Sequence, residues 1–429
     1  MSPGRMQPSI VSLMEFTPLH RALGYTPSPL TDQLLDAAIN AGVRETDDLD
    51  WKSELPPIRG LPQSDVPKDI AAMANAGGGM IIYGVDESQK AATGRKDTGE
   101  FTEGHERAYR SAAVSAISPP VFGLDIYRLG TDSRAVAVVI PASVDGPHLI
   151  YRNDYFGAPI RNDADTVWMR ERQIEAMYRA RFDERRRSSE AIDSLYNEAA
   201  TGRDTDQRAW FIAVARPRIP TLSARPDRDE VRAIFERAEA LTFSYSTSKG
   251  IHPLKNVDRL NPRPGLRRWV AANTATSEQQ LWREAWAEAH HDGSVTLAAA
   301  VGAHRKSYDG NFEGWEVESR GIECCISDFA ALIRAVAETR HLDEYEIRVG
   351  IEWSGAQPLQ ILTVDNMGFT YDEVSNPLRK FTPVRTTLNA AGDDNAFHQE
   401  VYRLAEDSVN QGGITYLHTI FEPAAEEEA

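Results

Sequence analysis

Two segments decide the fold: Glu45-Thr46-Asp47-Asp48-Leu49-Asp50-Trp51-Lys52, and Lys68-Asp69-Ile70-Ala71-Ala72-Met73-Ala74-Asn75-Ala76-Gly77-Gly78-Gly79-Met80-Ile81-Ile82-Tyr83-Gly84-Val85-Asp86-Glu87. In the second, Asp65 is placed to cap a helix, with Pro67 in its first turn and residues 68–76 as its body. Gly77 to Gly79 end that helix and turn the chain. Residues 80–85 form a short apolar run without alternation, the pattern of a strand covered on both faces. The glycines follow a helix C-terminus, where the dipole repels anions. A phosphate-binding loop needs the opposite order, strand then glycines then helix, so nucleotide binding here is not expected.

The first segment supplies acids. If residues 49–51 are extended, Asp50 and Lys52 share one strand face and Leu49 and Trp51 the other. Glu87 lies just past the second strand. Carboxylates at strand ends are well placed to share a divalent metal. Residues 45–50 equally read as a solvated acidic turn, since charge runs usually face water.

Taken together, these segments resemble the Schlafen family, specifically its AlbA-like domain. The residues that carry the resemblance are Glu45, Asp50, Trp51 and Lys52, then Ala72-Met73-Ala74-Asn75, Gly77 to Gly79, and Gly84-Val85-Asp86-Glu87. Further matches are Pro141-Ala142-Ser143, Pro147-His148, Ile160-Arg161 and Thr166-Val167-Trp168-Met169. The similarity runs over about residues 40–182.

This resemblance implies a metal-dependent endoribonuclease acting on structured RNA such as tRNA or rRNA, in phage defence or a stress response. Glu45, Asp50 and Glu87 would then hold Mg²⁺ or Mn²⁺, with Lys52 beside them as a fourth catalytic group. Asp50 and Glu87 exchange Asp and Glu relative to the commonest family form, and the family's zinc-binding Cys and His cluster is absent. The alternative is a non-catalytic nucleic-acid-binding or regulatory protein with a C-terminal sensor domain. Under that reading, Lys52, Arg152, Arg161, Arg172 and Arg179 grip phosphates. Schlafen cores pair two such lobes, so a single copy implies a homodimer.

Composition sets wider bounds. The 429 residues suffice for two or three domains, and 41% apolar with 26% charged residues is ordinary for a globular protein. No apolar run approaches the roughly 20 residues of a membrane span, and the N-terminus shows no signal pattern. The two cysteines, Cys324 and Cys325, are adjacent, which excludes a disulfide framework and fits a cytoplasmic setting. They read as small buried apolar residues. The net charge of −17 is unevenly spread, −4 over residues 1–187 and −13 over the rest, so a basic groove in the first part is not precluded.

In chain order, the expectation is an α+β chain. Residues 1–42 carry a lead-in helix opening at Thr31-Asp32, with Leu34, Leu35 and Ala38 as its buried stripe. Residues 43–182 form the AlbA-like mixed-sheet domain. Within it, 88–104 reads as a mobile loop, 106–117 as a helix, 121–129 and 134–140 as strands, and 171–182 as a helix. Seven arginines between Arg170 and Arg187, with Arg172 and Arg179 near one helix face, read either as a phosphate-contacting edge or as an ordinary charged helix. Residues 183–206 read as a charged linker or solvated helix. Residues 207–429 form a second α+β domain of unknown role. There, 278–290 is expected to be helical, 345–353 and 358–364 a hairpin, and 414–421 a final strand.

Overall fold

Strands β1 (Leu49–Lys52) and β2 (Gly79–Tyr83) lie parallel, with Leu49 opposite Met80 and Lys52 opposite Tyr83. This pair is the centre of the N-terminal unit in a computed structural model. The structure describes residues 16–131, 133–152, 155–219, 225–273, 283–305, 310–340, 342–364, 370–371 and 375–424. The chain divides into two compact units, Met1–Arg185 and Arg186–Ala429.

In the first unit, α1 (Pro18–Leu23) and α2 (Asp32–Asn40) precede β1, and α3 (Val66–Asn75) joins β1 to β2 as a crossover. β3 (Val85–Ser88) and β4 (Ala91–Arg95) form a ribbon, followed by α4 (Glu103–Ser115), β5 (Ile117–Ser118), β6 (Asp125–Leu129) and β7 (Ala135–Ile140). The main sheet has the order β1-β2-β7-β6, parallel only at β1-β2. β8 (Leu149–Arg152) and β9 (Tyr155–Gly157) join β5 in a three-stranded sheet, and β10 (Pro159–Asn162) and β11 (Asp165–Trp168) form a hairpin.

The unalternated apolar run is buried on both faces, as its pattern predicts. Ile81 and Tyr83 pack with Ile70, Met73 and Tyr109 of α3 and α4. Met80 and Ile82 pack with Leu19, Leu34, Leu35, Leu49 and Trp51 on the α1–α2 side. Thr31 accepts a hydrogen bond from the Leu34 amide at 3.4 Å and caps α2. Asp65 holds the cap position of α3 without a capping bond; its carboxylate pairs instead with Lys68 at 3.1 Å.

The glycine turn is set by sterics. Gly77 and Gly78 have φ of +102° and +91°, and the Gly78 amide donates to Met73 O at 2.9 Å to close the helix end. A Cβ on Gly78 would stand 2.7 Å from the Ala142 amide nitrogen, whereas one on Gly77 meets open space.

The region 88–104 is not wholly irregular. Residues 91–95 pair with β3, and the turn places Gln89 and Lys90 at positive φ. The ribbon's polar, solvent-facing side chains hide it from a hydrophobic-period reading.

Helix α5 (Glu171–Ala200) runs unbroken, so residues 183–200 are helix. In the second unit, β12 (Trp210–Pro217), α6 (Arg228–Tyr245), α7 (Pro253–Asn256), β13 (Arg263–Gly265), β14 (Arg268–Asn273), β15 (Ala285–His290) and β16 (Val295–Ala300) come first. Then follow β17 (Glu316–Glu318), α8 (Ser319–Arg340), β18 (Glu344–Glu352), β19 (Gln360–Val364), β20 (Thr370–Tyr371), β21 (Val384–Asn389) and α9 (Asp394–Val409). A seven-stranded antiparallel sheet, β13-β14-β15-β16-β12-β18-β21, is the frame. One face packs on α6, α8 and α9 through Phe211, Phe235, Phe329 and Phe397. The other packs Trp210, Ile212 and Val214 against Ile192, Tyr196 and Ala199 of α5.

Three expectations fail here. The helix expected over 278–290 is not found where described: residues 278–282 of that expectation lie outside the described residues, and residues 285–290 are the strand β15. Its alanines at 285, 287 and 289 enter the helical-side core, so a period of two was masked by strong helix formers. β18 does not pair with β19; it lies between β12 and β21, while β19 pairs in parallel with β17. Residues 414–421 make one bridge, Ser246 to Ile420, and no strand. That segment is held instead by Glu323, fully buried in α8, whose Oε2 accepts from the His418 amide at 2.8 Å, the Thr419 amide at 2.6 Å and Thr419 Oγ1 at 2.7 Å. Cys324 and Cys325 are buried beside it, as expected.

Two substitutions test these constraints. Gly77→Ala should cost about 1–2 kcal/mol, the left-handed backbone penalty alone, and Gly78→Ala more, because backbone must also move. Equal losses in denaturant titrations would contradict the steric account. Glu323→Ala strands four donors, the Ile420 amide included, and should lower stability by roughly 3 kcal/mol or more; an unchanged urea midpoint would refute the clasp.

Candidate functional site

Asp50 is the hub. It sits on β1, is 3% exposed, and points away from the core face taken by Leu49 and Trp51. Its Oδ1 accepts from Arg161 Nη1 at 3.1 Å, and its Oδ2 faces Lys52 Nζ at 2.7 Å, an ion pair without an aligned hydrogen bond. Arg161 Nη2 also donates to Thr46 O at 3.1 Å. The Arg161 side chain is as buried as that of Asp50, whereas that of Lys52 is 39% exposed. Lys52 is therefore the cation presented to solvent, and Arg161 the one that locks the carboxylate from behind.

Glu45 and Asp69 complete the cluster. Glu45 Oε1 accepts from the Trp51 amide at 3.0 Å, tying the acidic turn to β1. Burial pushes the Glu45 carboxyl above its usual range against that bond, with Asp50 and Glu87 adding to the rise. Asp69, on α3, lies 3.9 Å from Lys52 and 3.7 Å from Lys68. Burial raises its carboxyl too, with Lys52 opposing. The Lys52 ammonium is held above its usual range by Asp50 first, against the desolvation that alone would lower it. It stays charged at neutral pH.

Arg161 reaches this point because the end of α3 places its strand. Asn75 Nδ2 donates to His148 O at 2.9 Å and Pro159 O at 2.8 Å, and its Oδ1 accepts from the His148 amide at 2.7 Å. His148 lies between Pro119 O at 2.7 Å and Ser143 Oγ at 2.6 Å, and burial lowers its imidazole, so it is neutral. A neutral ring donates to the carbonyl and accepts from the hydroxyl. The sequence marked Asn75 and His148 only as matching letters; their bonds show them to be the clamp that fixes β10. Asp69 was missed, because nothing local distinguishes it from any helix-surface acid.

Placement of the remaining predicted residues is mixed. Glu87 lies on β3, exposed, and is near enough to Glu45 to be felt electrostatically. Among the described residues no group of three or more His, Cys, Asp or Glu side chains is arranged to hold a metal ion. Both oxygens of Asp50 already face a cation, Lys52 Nζ at 2.7 Å and Arg161 Nη1 at 3.1 Å. Arg172 and Arg179 are exposed on α5, and Arg179 pairs with Glu175 at 2.5 Å. The side chain of Arg152 lies outside the described residues.

Comparison with known proteins follows the same lines. Residues 45–170 match the family model described as Schlafen, AlbA_2. Two solved structures are similar. One is the DIP2311 protein from Corynebacterium diphtheriae, at 12% identity over 49% of this chain and 32% of that one, with a TM-score of 0.24. The other is the N-terminal domain of an ATP-dependent DNA helicase RecG-related protein from Nitrosomonas europaea, at 16% identity over 32% of this chain and 90% of that one, with a TM-score of 0.24. The present chain thus spans about a third of the length of the first of these. No curated protein matches it. No helix among the described residues is long and apolar enough to cross a membrane. The acid–lysine–arginine hub, the glycine turn and the clamp all fall within residues 45–170, the span that is similar to the Schlafen, AlbA_2 family.

Proposed function

We propose that this domain binds nucleic acid, with Lys52 as its central phosphate contact. The carrying observation is an ammonium fixed at the open end of β1, 39% exposed, with its counter-ion buried beneath it. Asp50 and Asp69 orient the ammonium without covering it, and a phosphate oxygen adds to that pairing from the solvent side. Structured RNA is the favoured partner over DNA, in keeping with the family resemblance.

A second reading, metal-dependent cleavage of that RNA, rests on one specific observation. Asp50 and Glu87 both raise the Glu45 carboxyl, so the three acids share one electrostatic neighbourhood. Since Asp50 is engaged by two cations, binding is the reading the geometry favours.

Among the described residues the first unit has one four-stranded sheet of this kind, and the second unit is framed by a seven-stranded antiparallel sheet. We propose a two-fold pair of chains that sets two lobes around one groove. Light scattering should give twice the chain mass, and a monomer would remove this part of the proposal.

Incubating the protein with total tRNA, rRNA, single-stranded DNA and duplex DNA, with Mn²⁺ or with chelator, separates the readings. Binding predicts a chelator-insensitive gel shift without new fragments, strongest for RNA. It also predicts an affinity loss of about tenfold, or ~1.4 kcal/mol, in Lys52→Ala. Metal-dependent fragments that disappear in Glu45→Gln and Glu87→Gln would establish cleavage instead.

A further inference from the structure

The second unit carries a cavity of about 330 Å³ where the end of α5 meets the β14–β15 part of the sheet. Two of its lining groups carry opposite charge, Glu288 and Arg203. Glu288, on β15, is 8% exposed, yet its carboxylate makes no aligned hydrogen bond among the described residues. Its neighbours are Arg268 Nε and His290 Nε2, both 3.5 Å away. Arg268 spends its own Nη1 on Glu198 at 2.5 Å, and His290 Nε2 meets Thr296 Oγ1 at 3.1 Å. At 3.5 Å both contacts are loose, so the Glu288 carboxylate keeps capacity to accept hydrogen bonds from a ligand in the cavity.

The second group is Arg203, just beyond α5. Its Nε donates to Ala199 O at 3.2 Å, and its guanidinium lies 3.8 Å from the Trp286 ring centroid and 5.3 Å from that of Trp210. Among the described residues its two Nη groups form no hydrogen bond or ion pair. Burial pulls this guanidinium below its usual range, with Glu288, Glu284 and Asp204 opposing. An anion at the fork would relieve that cost.

We infer that this cavity binds an α-amino acid or a close zwitterionic analogue, its ammonium on Glu288 and its carboxylate on Arg203. Leu195, Ala199 and Val270 give the ligand's side chain an apolar wall. The volume suits a single small metabolite. A nucleobase suits the cavity less well. Aromatic stacking is the usual grip on a base, and the Trp286 ring is already covered by Arg203.

Thermal shift with each proteinogenic amino acid, followed by calorimetry of the best one, tests this on the full chain. At least one amino acid should raise Tm and bind with a Kd of roughly millimolar or tighter. The N-acetylated and the carboxamide forms of that amino acid should each bind at least about tenfold more weakly, a readout that needs no mutant. Glu288→Gln and Arg203→Met should each lose binding by a similar factor with unchanged circular dichroism. The assignment is overturned if no amino acid binds, if the blocked forms bind as well as the parent, or if mononucleotides bind and amino acids do not.

Discussion

The buried pair of Asp50 and Arg161 joins positions 111 residues apart in the chain. Both side chains are 4% exposed, so neither charge is solvated if the other leaves. Losing one partner from such a pair is costly, typically about 3–5 kcal/mol, because an uncompensated charge remains in a low-dielectric interior. The β10–β11 hairpin must therefore stay docked against β1. That constraint explains the three bonds from Asn75, which fix the entry of β10, and the Arg161 bond to Thr46 O, which fixes the acidic turn. The exposed ammonium of Lys52 is a consequence: with Arg161 on one oxygen of Asp50, the other is left to the outward-facing cation.

The central strand pair was legible because each residue there obeys one strong local rule. Residues 80–83 are apolar without alternation since both faces are covered, and Leu49 and Trp51 alternate with Asp50 and Lys52 since only one side of β1 enters the α1–α2 core. Gly78 was legible as a turn residue because no Cβ fits beside Ala142. The hub itself was legible only in part. Glu45, Asp50 and Lys52 stand close in sequence, but Arg161 and Asp69 are brought to them by tertiary packing, which leaves no periodic trace. Lys52, two residues from Asp50 in an extended strand, projects on the same side and pairs with its carboxylate.

In the second unit the failures share a cause. Its strands are rich in alanine, and one of them, β15, carries three alanines on the face that meets the helices. Small side chains let α6 and α8 pack closely on the sheet but weaken both the period-two signal and the β propensity. The pairing of β18 with β12 is non-local and is set by a core assembled from the whole unit. The same sheet leaves charged residues on its far face where α5 ends, which is why a polar cavity forms there.

The most direct test of the binding account is the salt dependence of affinity for a labelled RNA hairpin, compared between the native chain and Lys52→Ala. If Lys52 neutralises a phosphate, log K falls linearly with log salt, and the variant's slope is shallower by about one unit. Equal slopes for the two proteins, or binding indifferent to salt, would contradict it.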